Sequence, residues 1–241
     1  MADDQARDAL AALSRFFVGS ATLEETLDRV CSLATSALPA ASFAGITMWD
    51  GDKVSTRVFT DPESPAIDQS QYDSGEGPCL DAFRFRKPYL IEDMETDDRY
   101  PAFRTACLAH DIISTLSLPL PIDGSAIGAL NLYARTPRRF TQGDLEVGTT
   151  FADAGGAVVA NAQAYWNAYK LSENLTQALS SRATIEQAKG ILIAQSGVTP
   201  DEAFELLKRA SQRENRPLRE IAAEIVARGQ RPAEGHGLMD Q

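Results

Sequence analysis

Two cations near the C-terminal end of the sequence have the spacing best suited to binding chemistry. Arg182 and Lys189 are seven residues apart, which in a helix places them on one face and about 10 Å from each other. This spacing suits the phosphates or base edges of an RNA loop, which proteins bind by hydrogen bonding and stacking. The pattern alone slightly favours another interpretation, in which both side chains snorkel at the edge of a helix dimer.

More cations follow on two shorter predicted helices, where each could contact a phosphate or only face solvent: Lys208, Arg209, Arg213, Arg216 and Arg219. Residues 182–231 hold nine Lys or Arg and seven Asp or Glu, whereas the whole chain carries a net charge of −11. Such an acidic protein does not coat nucleic acid non-specifically. We expect no aromatic residue on the basic surface, because Phe204 lies at the spacing of a buried helix face. Glycine at position 190 destabilises the predicted helix by ~1 kcal/mol relative to alanine. Its presence there could permit the close approach of either another helix or RNA.

A second candidate site lies in the middle of the chain, between a predicted sheet and the segment 61–105. We predict a small-molecule pocket there with six lining residues: Tyr72, Cys79, Phe83, Asp93, Tyr100 and Phe103. The alternative, which the pattern favours for the aromatic residues, is that they are ordinary core. His110 could ligate haem, but a lone histidine near a turn is more often solvated.

Several classes of site are not indicated. The three cysteines, Cys31, Cys79 and Cys107, are odd in number and far apart, which suggests neither a disulfide framework nor a zinc site. Nothing resembles a catalytic triad or a Walker loop, so we predict no catalytic and no metal-binding residue. No apolar run approaches the ~20 residues that span a bilayer, and the acidic start lacks a signal-peptide core. We therefore expect a cytoplasmic protein with no membrane partner.

The first 140 residues have the pattern of an α+β domain. Apolar spacing predicts helices over 5–18 (through Leu10, Leu13, Phe16 and Phe17), from Thr22 and over 102–110. Capping patterns, in which an acidic residue follows a threonine three positions later, are present at Thr22, Thr141 and Thr199 and predict helix starts there. Strands are predicted over 42–49, 53–60, 88–91, 114–122 and 126–134, with Asp-Gly turns joining two hairpins. Residues 61–87 are rich in Pro, Asp, Ser and Gly and are predicted to be a loop.

The remainder is predicted to be helical. From Thr141 a helix of ~50 residues can run, with Gly155-Gly156 as a weak point, and a 4,3-spaced stripe along it favours a coiled-coil dimer: Leu171, Leu175, Ala178, Arg182, Ile185, Lys189 and Leu192. Two short helices starting near Thr199 and Pro217 complete a three-helix bundle, with Ala203, Phe204, Leu207 and Ala210 predicted to be buried. We predict domains at 1–165, 166–181 (linking helix) and 182–229, followed by a mobile tail at 230–241.

Two stretches resemble known families. Residues 182–228, with AKGIL and DEAF in order, closely resemble the ANTAR domain of transcription antiterminators. Residues ~15–165 resemble a GAF domain through GEGPCLDAF, PYLIEDM, STLSLPLPIDGSAIGALNLYA and FTQGDLE. The resemblance implies an antiparallel sheet, six-stranded or similar and flanked by helices, with a pocket for a small molecule. The resemblance further implies that this GAF-like domain is joined by a coiled-coil-like helix to an all-α RNA-binding bundle.

The resemblance also implies a function. ANTAR domains bind paired stem-loops in nascent transcripts and prevent a terminator hairpin, and GAF domains usually dimerise through terminal helices. We expect a homodimeric antiterminator that binds RNA through Arg182, Lys189, Arg209, Arg213 and Arg216, with an unidentified GAF ligand. Bilin-carrying GAF domains generally have His directly after Cys, whereas here Leu108-Ala109 separates Cys107 from His110, so no bilin is expected.

Three other functions remain open at this point. The first is a DNA-binding regulator, for which Leu218-Arg219-Glu220 is a thin candidate at the start of a reading helix. The second is a protein-interaction module that works through the long helix. The third is a GAF-type free methionine sulfoxide reductase, since Cys79 and Cys107 roughly match its cysteines. Only Asp111 stands where that family has an acidic stretch, so this third function is the least favoured.

Overall fold

The structure is a computed structural model of the chain, and it describes residues 2–16, 19, 21–135 and 140–229. The chain divides into two compact units, Met1–Asn167 and Ala168–Gln241. The tail predicted at 230–241 and Phe17 lie outside the described residues. Within the described part of the chain, no helix has the length and apolar character needed to cross a membrane.

The first unit is built on an antiparallel sheet of five strands in the order β2-β1-β5-β4-β3. The strands are β1 (Phe43–Asp50), β2 (Lys53–Phe59), β3 (Tyr89–Ile91), β4 (Ile112–Ile122) and β5 (Ser125–Arg135). Both predicted hairpins are confirmed. Their turns contain Gly51 and Gly124 at φ 61° and 77°, the left-handed region that glycine enters without steric cost.

The helices before the sheet and between its strands belong to the same unit: α1 (Ala2–Ser14), α2 (Leu23–Ala37), α3 (Ser64–Ser74), α4 (Pro78–Phe85) and α5 (Pro101–Ala109). The predicted capping box of α2 is confirmed, since the Thr22 hydroxyl accepts from Glu25 N at 3.1 Å and Thr22 N donates to Glu25 Oε2 at 2.7 Å. The first helix ends at Ser14 rather than at 18, so Phe16 lies beyond it.

The prediction of a loop over 61–87 is wrong, because α3 and α4 occupy most of it. The proline and glycine residues that suggested a loop lie at the starts and ends of these helices. Pro65 and Pro78 lie in the first turns of the two helices, where proline lacks only an N–H that has no partner in any helix. Gly75 ends α3 in the left-handed conformation, at φ 72°, a common helix terminator.

The two faces of the sheet differ in chemistry because successive strand residues point to opposite sides. One set, which includes Ile46 and Leu130, packs into a large aliphatic core with Val30 of α2 and with Phe151 of the long helix that follows the sheet in the chain. The alternating set includes Thr47, Asn131 and Tyr133 and lies on the side covered by α3. The second face is the one that carries a buried polar site.

The longest helix, α6 (Gln142–Ser196), begins in the first unit and ends in the second. Its start is capped as predicted, with Thr141 N donating to Asp144 Oδ2 at 2.9 Å. The expected weak point at Gly155-Gly156 does not interrupt it. A Cβ at position 156 would lie 2.9 Å from the backbone nitrogen of Pro121 in β4, so glycine there permits close packing of the helix on the sheet.

The second unit contains the end of α6 with α7 (Pro200–Glu214) and α8 (Leu218–Gly229). These helices bury Ala188, Leu207, Ile221 and Ala222 in a small shared core. The capping box at the start of α7 is present, with Thr199 N donating to Glu202 Oε2 at 2.8 Å. This unit is a three-helix bundle.

Candidate functional sites

The first unit contains a polar cluster centred on the fully buried Asp68 of α3. Oδ2 of this carboxyl group accepts a hydrogen bond from Thr56 Oγ1 at 2.8 Å. Oδ1 accepts from Gln71 Nε2 at 3.2 Å, from Asn131 Nδ2 at 3.4 Å and from the Tyr133 hydroxyl. The helix and the sheet are thus joined through one buried acid.

Two more residues complete what we call the Asp68 cluster. The Tyr72 hydroxyl lies 2.8 Å from Thr47 Oγ1 and 2.9 Å from Thr56 Oγ1, and Asn131 Nδ2 donates to Thr47 Oγ1 at 3.1 Å. Among the described residues, nothing donates to the buried Oδ1 of Asn131. Because an unpaired buried acceptor is costly, this atom marks a place where a donor from a ligand or a water would stabilise the domain.

The electrostatics of the cluster are dominated by the burial of Asp68. Burial raises the pKa of this carboxyl group to about 6, and the hydrogen bonds from Tyr133, Thr56, Gln71 and Asn131 limit the rise. A carboxyl group with such a pKa changes its charge in mildly acidic solution. Donors that bind it stabilise the ionised form, whereas burial stabilises the neutral form.

The six residues predicted to line a pocket lie in different surroundings. Tyr72 belongs to the Asp68 cluster. The buried backbone N–H of Cys79 adjoins it and donates to Gln71 Oε1 at 2.9 Å. Phe103 is part of an apolar core that also contains Ile67 of α3.

Phe83, Tyr100 and Asp93 lie elsewhere in the first unit. Phe83 stacks on Trp49, with ring centroids 3.7 Å apart. The Tyr100 hydroxyl donates to Asp81 Oδ2 at 2.7 Å, and this ring lines a cavity of about 240 Å³ with Ser74, Glu76, Pro101 and Ala102. Asp93 lines a separate cleft of about 400 Å³ with Leu90, Glu92, Thr96, Asp97 and Arg99. Tyr100 and Asp93 thus line two separate cavities, and Phe103 packs in an apolar core instead.

The central residues of the cluster escaped the sequence prediction. Thr47 and Asn131 could have been found, because each is the polar residue within a strand segment that is otherwise apolar on both faces, 43–49 and 126–134. Asp68 had no such signal, since its segment was predicted to be a loop. A polar residue inside an otherwise apolar strand therefore marks such a cluster better than a polar residue in a segment without apolar periodicity.

The buried cysteines have the wrong environment for sulfenate chemistry. Cys79 and Cys107 are fully buried. Burial raises the pKa of the Cys79 thiol to about 12 and that of Cys107 well above its usual value. Oxidation and nucleophilic attack require a thiolate, so both thiols are held in the unreactive form. Within the described ranges, no group of three or more His, Cys, Asp or Glu is placed to hold a metal ion.

The predicted RNA-binding cations differ in how available they are. Arg182 is exposed on α6. The Lys189 side chain is only 17% exposed, and its ammonium lies 3.0 Å from Glu186 Oε2. A phosphate could reach Arg182 directly but would have to compete with a carboxylate for Lys189.

The cations of α7 and α8 show the same contrast. Arg213 is 76% exposed, with Glu214 3.5 Å away, and Arg209 Nε donates to the backbone oxygen of Glu205. Arg216 is held by three carboxylates, of Glu214 at 3.2 Å, Glu220 at 3.6 Å and Glu224 at 3.0 Å. Arg209 and Arg213 are therefore better placed than Arg216 to meet an incoming anion.

The prediction that Phe204 is core is wrong. Its side chain is 39% exposed, while Ala203 and Leu207 form the buried face of α7. One residue of displacement is about 100° around a helix, which moves Phe204 from the core to the flank. Lys208 follows one turn later on the same flank, so this surface carries an aromatic ring after all.

The predicted 4,3 stripe on α6 divides into two parts. Leu171 and Leu175 of this stripe are 60 and 57% exposed, and Leu179, which was not part of the prediction, is 69% exposed beside them. These three residues are called the leucine stripe from here on. Ile185 and Leu192 instead pack against the core of the three-helix bundle. Because α7 and α8 cover the helix only from there on, the leucine stripe is left as an exposed apolar face.

Comparison with known protein families gives two matches. A family model described as GAF domain matches residues 20–160, and one described as ANTAR domain matches residues 173–226. A search of curated proteins finds no significant match.

Among solved structures, a GAF domain of a phosphoenolpyruvate-protein phosphotransferase from Coxiella burnetii is 19% identical. It has a TM-score of 0.52 over 68% of this chain and 97% of that one. A free methionine-R-sulfoxide reductase from Neisseria meningitidis is 13% identical, with a TM-score of 0.51 over 68% of this chain and 91% of that one. At these identities the likeness shows a shared fold and nothing of shared chemistry.

Proposed function

Because the chain belongs to the GAF domain family and also carries an ANTAR domain, we propose that it is a cytoplasmic transcription antitermination regulator. It binds paired stem-loops in nascent RNA under the control of a small molecule. The ANTAR match over 173–226 is the observation that carries this proposal. Exposed cations on the matched segment, Arg182 and Arg213 first, supply phosphate contacts.

A homodimer formed through the leucine stripe is the second part of the proposal. Three leucines exposed within about two turns of one helix are an apolar face of the kind that associates in a coiled coil. A dimer carries two ANTAR bundles, which matches a target with two stem-loops. Binding the second stem-loop then becomes intramolecular and adds avidity.

The sensing step is proposed to start at the Asp68 cluster, with Tyr72 and Cys79 beside it. Donors on a ligand would pair with Asn131 Oδ1 and Asp68. The same strands carry Ile46 and Leu130 on their other face, in the core that contains Phe151 of α6. A ligand that moves these strands would thereby alter how α6 packs. This is allosteric only if ligand and RNA affinities change each other equally.

A binding experiment with two nucleic acids tests the proposal. A pool of tandem stem-loop RNAs with randomised loops is selected on the purified protein, and the selected RNA is compared with duplex DNA of equal length at ~150 mM salt. We expect a shifted RNA complex, weaker binding when one stem-loop is deleted, and no stable DNA complex. Equal or tighter binding of DNA would support a DNA-binding regulator instead.

A further inference from the structure

A small cleft on the three-helix bundle has no role in the account so far. It lies between the end of α6 and the end of α8, has a volume of about 360 Å³ and is lined by Gln187, Gly190, Ile191, Ala194, Val226 and Gly229. Its walls are apolar apart from the amide of Gln187, and no charged side chain lines it. The helices meet closely beside it, since a Cβ at position 229 would lie 2.9 Å from Ile191 Cδ1.

Gly190 is not explained by the packing of this chain. A Cβ at this position would meet nothing within 4 Å, and the residue has ordinary helical backbone angles, without a positive φ. Glycine here costs ~1 kcal/mol of helix propensity relative to alanine. The bundle therefore gains nothing from it, and the open space is left for something outside the described chain.

The cleft is distinct from the face proposed for dimerisation. The stripe covers about 80° of α6, from Leu171 to Leu179, and ends about 16 Å along the helix before Gly190. At about 100° per residue, Gly190 lies about 20° and Ala194 about 60° beyond Leu179. Lys189 and Arg182 lie on the side of α6 that carries the stripe, in line with Leu171 and between Leu171 and Leu175, respectively. A helix of a second copy packed on the leucine stripe would thus leave the cleft open.

We propose that this cleft holds one unpaired nucleobase from the loop of the bound RNA, an inference that rests on the proposed RNA-binding function. Apolar walls suit the faces of a base, and a glycine lets the ring approach the helix backbone. The Gln187 amide has a donor and an acceptor, the pair of groups that reads a base edge in single-stranded loops. The uncharged lining keeps phosphates outside, where Arg182 is available.

The test uses the full-length protein, the selected tandem stem-loop RNA and four variants. Gly190→Leu fills the cleft, Gln187→Ala removes the amide, and Gly190→Ala adds only a methyl group. Ala223→Leu places the same side chain at an exposed position of α8 outside the lining. RNA affinity is measured against salt, the dimer is followed by light scattering, and 2-aminopurine is placed at each loop position in turn.

We expect Gly190→Leu and Gln187→Ala to bind RNA about tenfold more weakly, with the salt dependence unchanged because no phosphate contact is lost. The fluorescence change at one loop position should disappear with Gly190→Leu. Gly190→Ala should melt at a higher temperature, and Ala223→Leu should bind as the unaltered protein does.

Each other result overturns the inference in a recognisable way. If Gly190→Leu binds RNA with unchanged affinity, the cleft is not a base site although RNA binding stands. If Gly190→Leu loses dimerisation and RNA binding together, the cleft is a helix-docking surface. If the unaltered protein binds no tandem stem-loop, the proposed function itself fails, and the inference with it.

Discussion

Replacing Asp68 with asparagine should make the stability of the GAF domain less dependent on pH. Burial raises the pKa of Asp68 from its usual 3.8 to about 6 in the folded protein. The folded state therefore keeps a proton that the unfolded chain releases. The resulting stabilisation is fully present below pH 3.8 and is lost as the pH rises through about 6.

The magnitude follows from the pKa difference. About two pKa units correspond to about 3 kcal/mol over the whole range, at 1.36 kcal/mol per unit. Linkage places somewhat less than half of this loss, about 1 kcal/mol, between pH 5 and pH 7.5. An asparagine side chain cannot titrate, so the Asp68→Asn variant should lack this part of the pH dependence, whatever constant change the substitution also brings.

Urea unfolding followed by tryptophan fluorescence at pH 5 and pH 7.5 measures the effect. Both tryptophans, Trp49 and Trp166, lie in the first unit, so the signal reports that unit alone. Carboxylates with lowered pKa, such as Asp97, act in the opposite direction but equally in both proteins. Asp73→Asn, an exposed change on the same helix, is the matched control. Equal pH slopes for the unaltered protein and Asp68→Asn would show that Asp68 does not keep a proton on folding.

Three further outcomes are expected. Light scattering should show a dimer without RNA, and Leu175→Asp, which places a charge on the exposed leucine stripe, should give monomers. A measured mass close to that of one chain, 26.1 kDa, for the unaltered protein would contradict this. Arg182→Ala and Lys189→Ala should each weaken RNA binding by about 1–3 kcal/mol and lower its salt dependence by roughly one counterion. The loss should be smaller for Lys189, which already pairs with Glu186; normal binding by both variants would show that the RNA face lies elsewhere. Cys79→Ser combined with Cys107→Ser should leave RNA binding intact, because both thiols are buried. Methionine sulfoxide turnover by the unaltered protein that disappears in this double variant would instead establish an enzyme.

The sequence predicted elements well where local chemistry decides them. The Asp-Gly turns at Gly51 and Gly124 and the capping boxes at Thr22 and Thr199 are local signals, and all four are present in the structure. The prediction for 61–87 failed because burial of residues such as Ile67 and Asp68 stabilises its helices. Local periodicity in the sequence does not reveal this burial.

The sites were harder to predict than the fold. Phe204 was predicted to be buried. Neighbouring residues of a helix point about 100° apart, so an error of one residue in the predicted buried face exchanges a buried position for an exposed one. The Asp68 cluster joins residues from α3, β1, β2 and β5, so its geometry depends on the tertiary fold. The charges of Lys189 and Arg216 were visible in the sequence, whereas the carboxylates that hold them were not identifiable without the packing.

Readthrough of a terminator measures antitermination itself. In single-round transcription, the template encodes the selected tandem stem-loops, with the second overlapping an intrinsic terminator. We expect the protein to raise the fraction of full-length transcript, and we expect deletion of either stem-loop or Arg182→Ala to lower this effect. An unchanged readthrough fraction at protein concentrations that saturate the RNA would contradict this expectation.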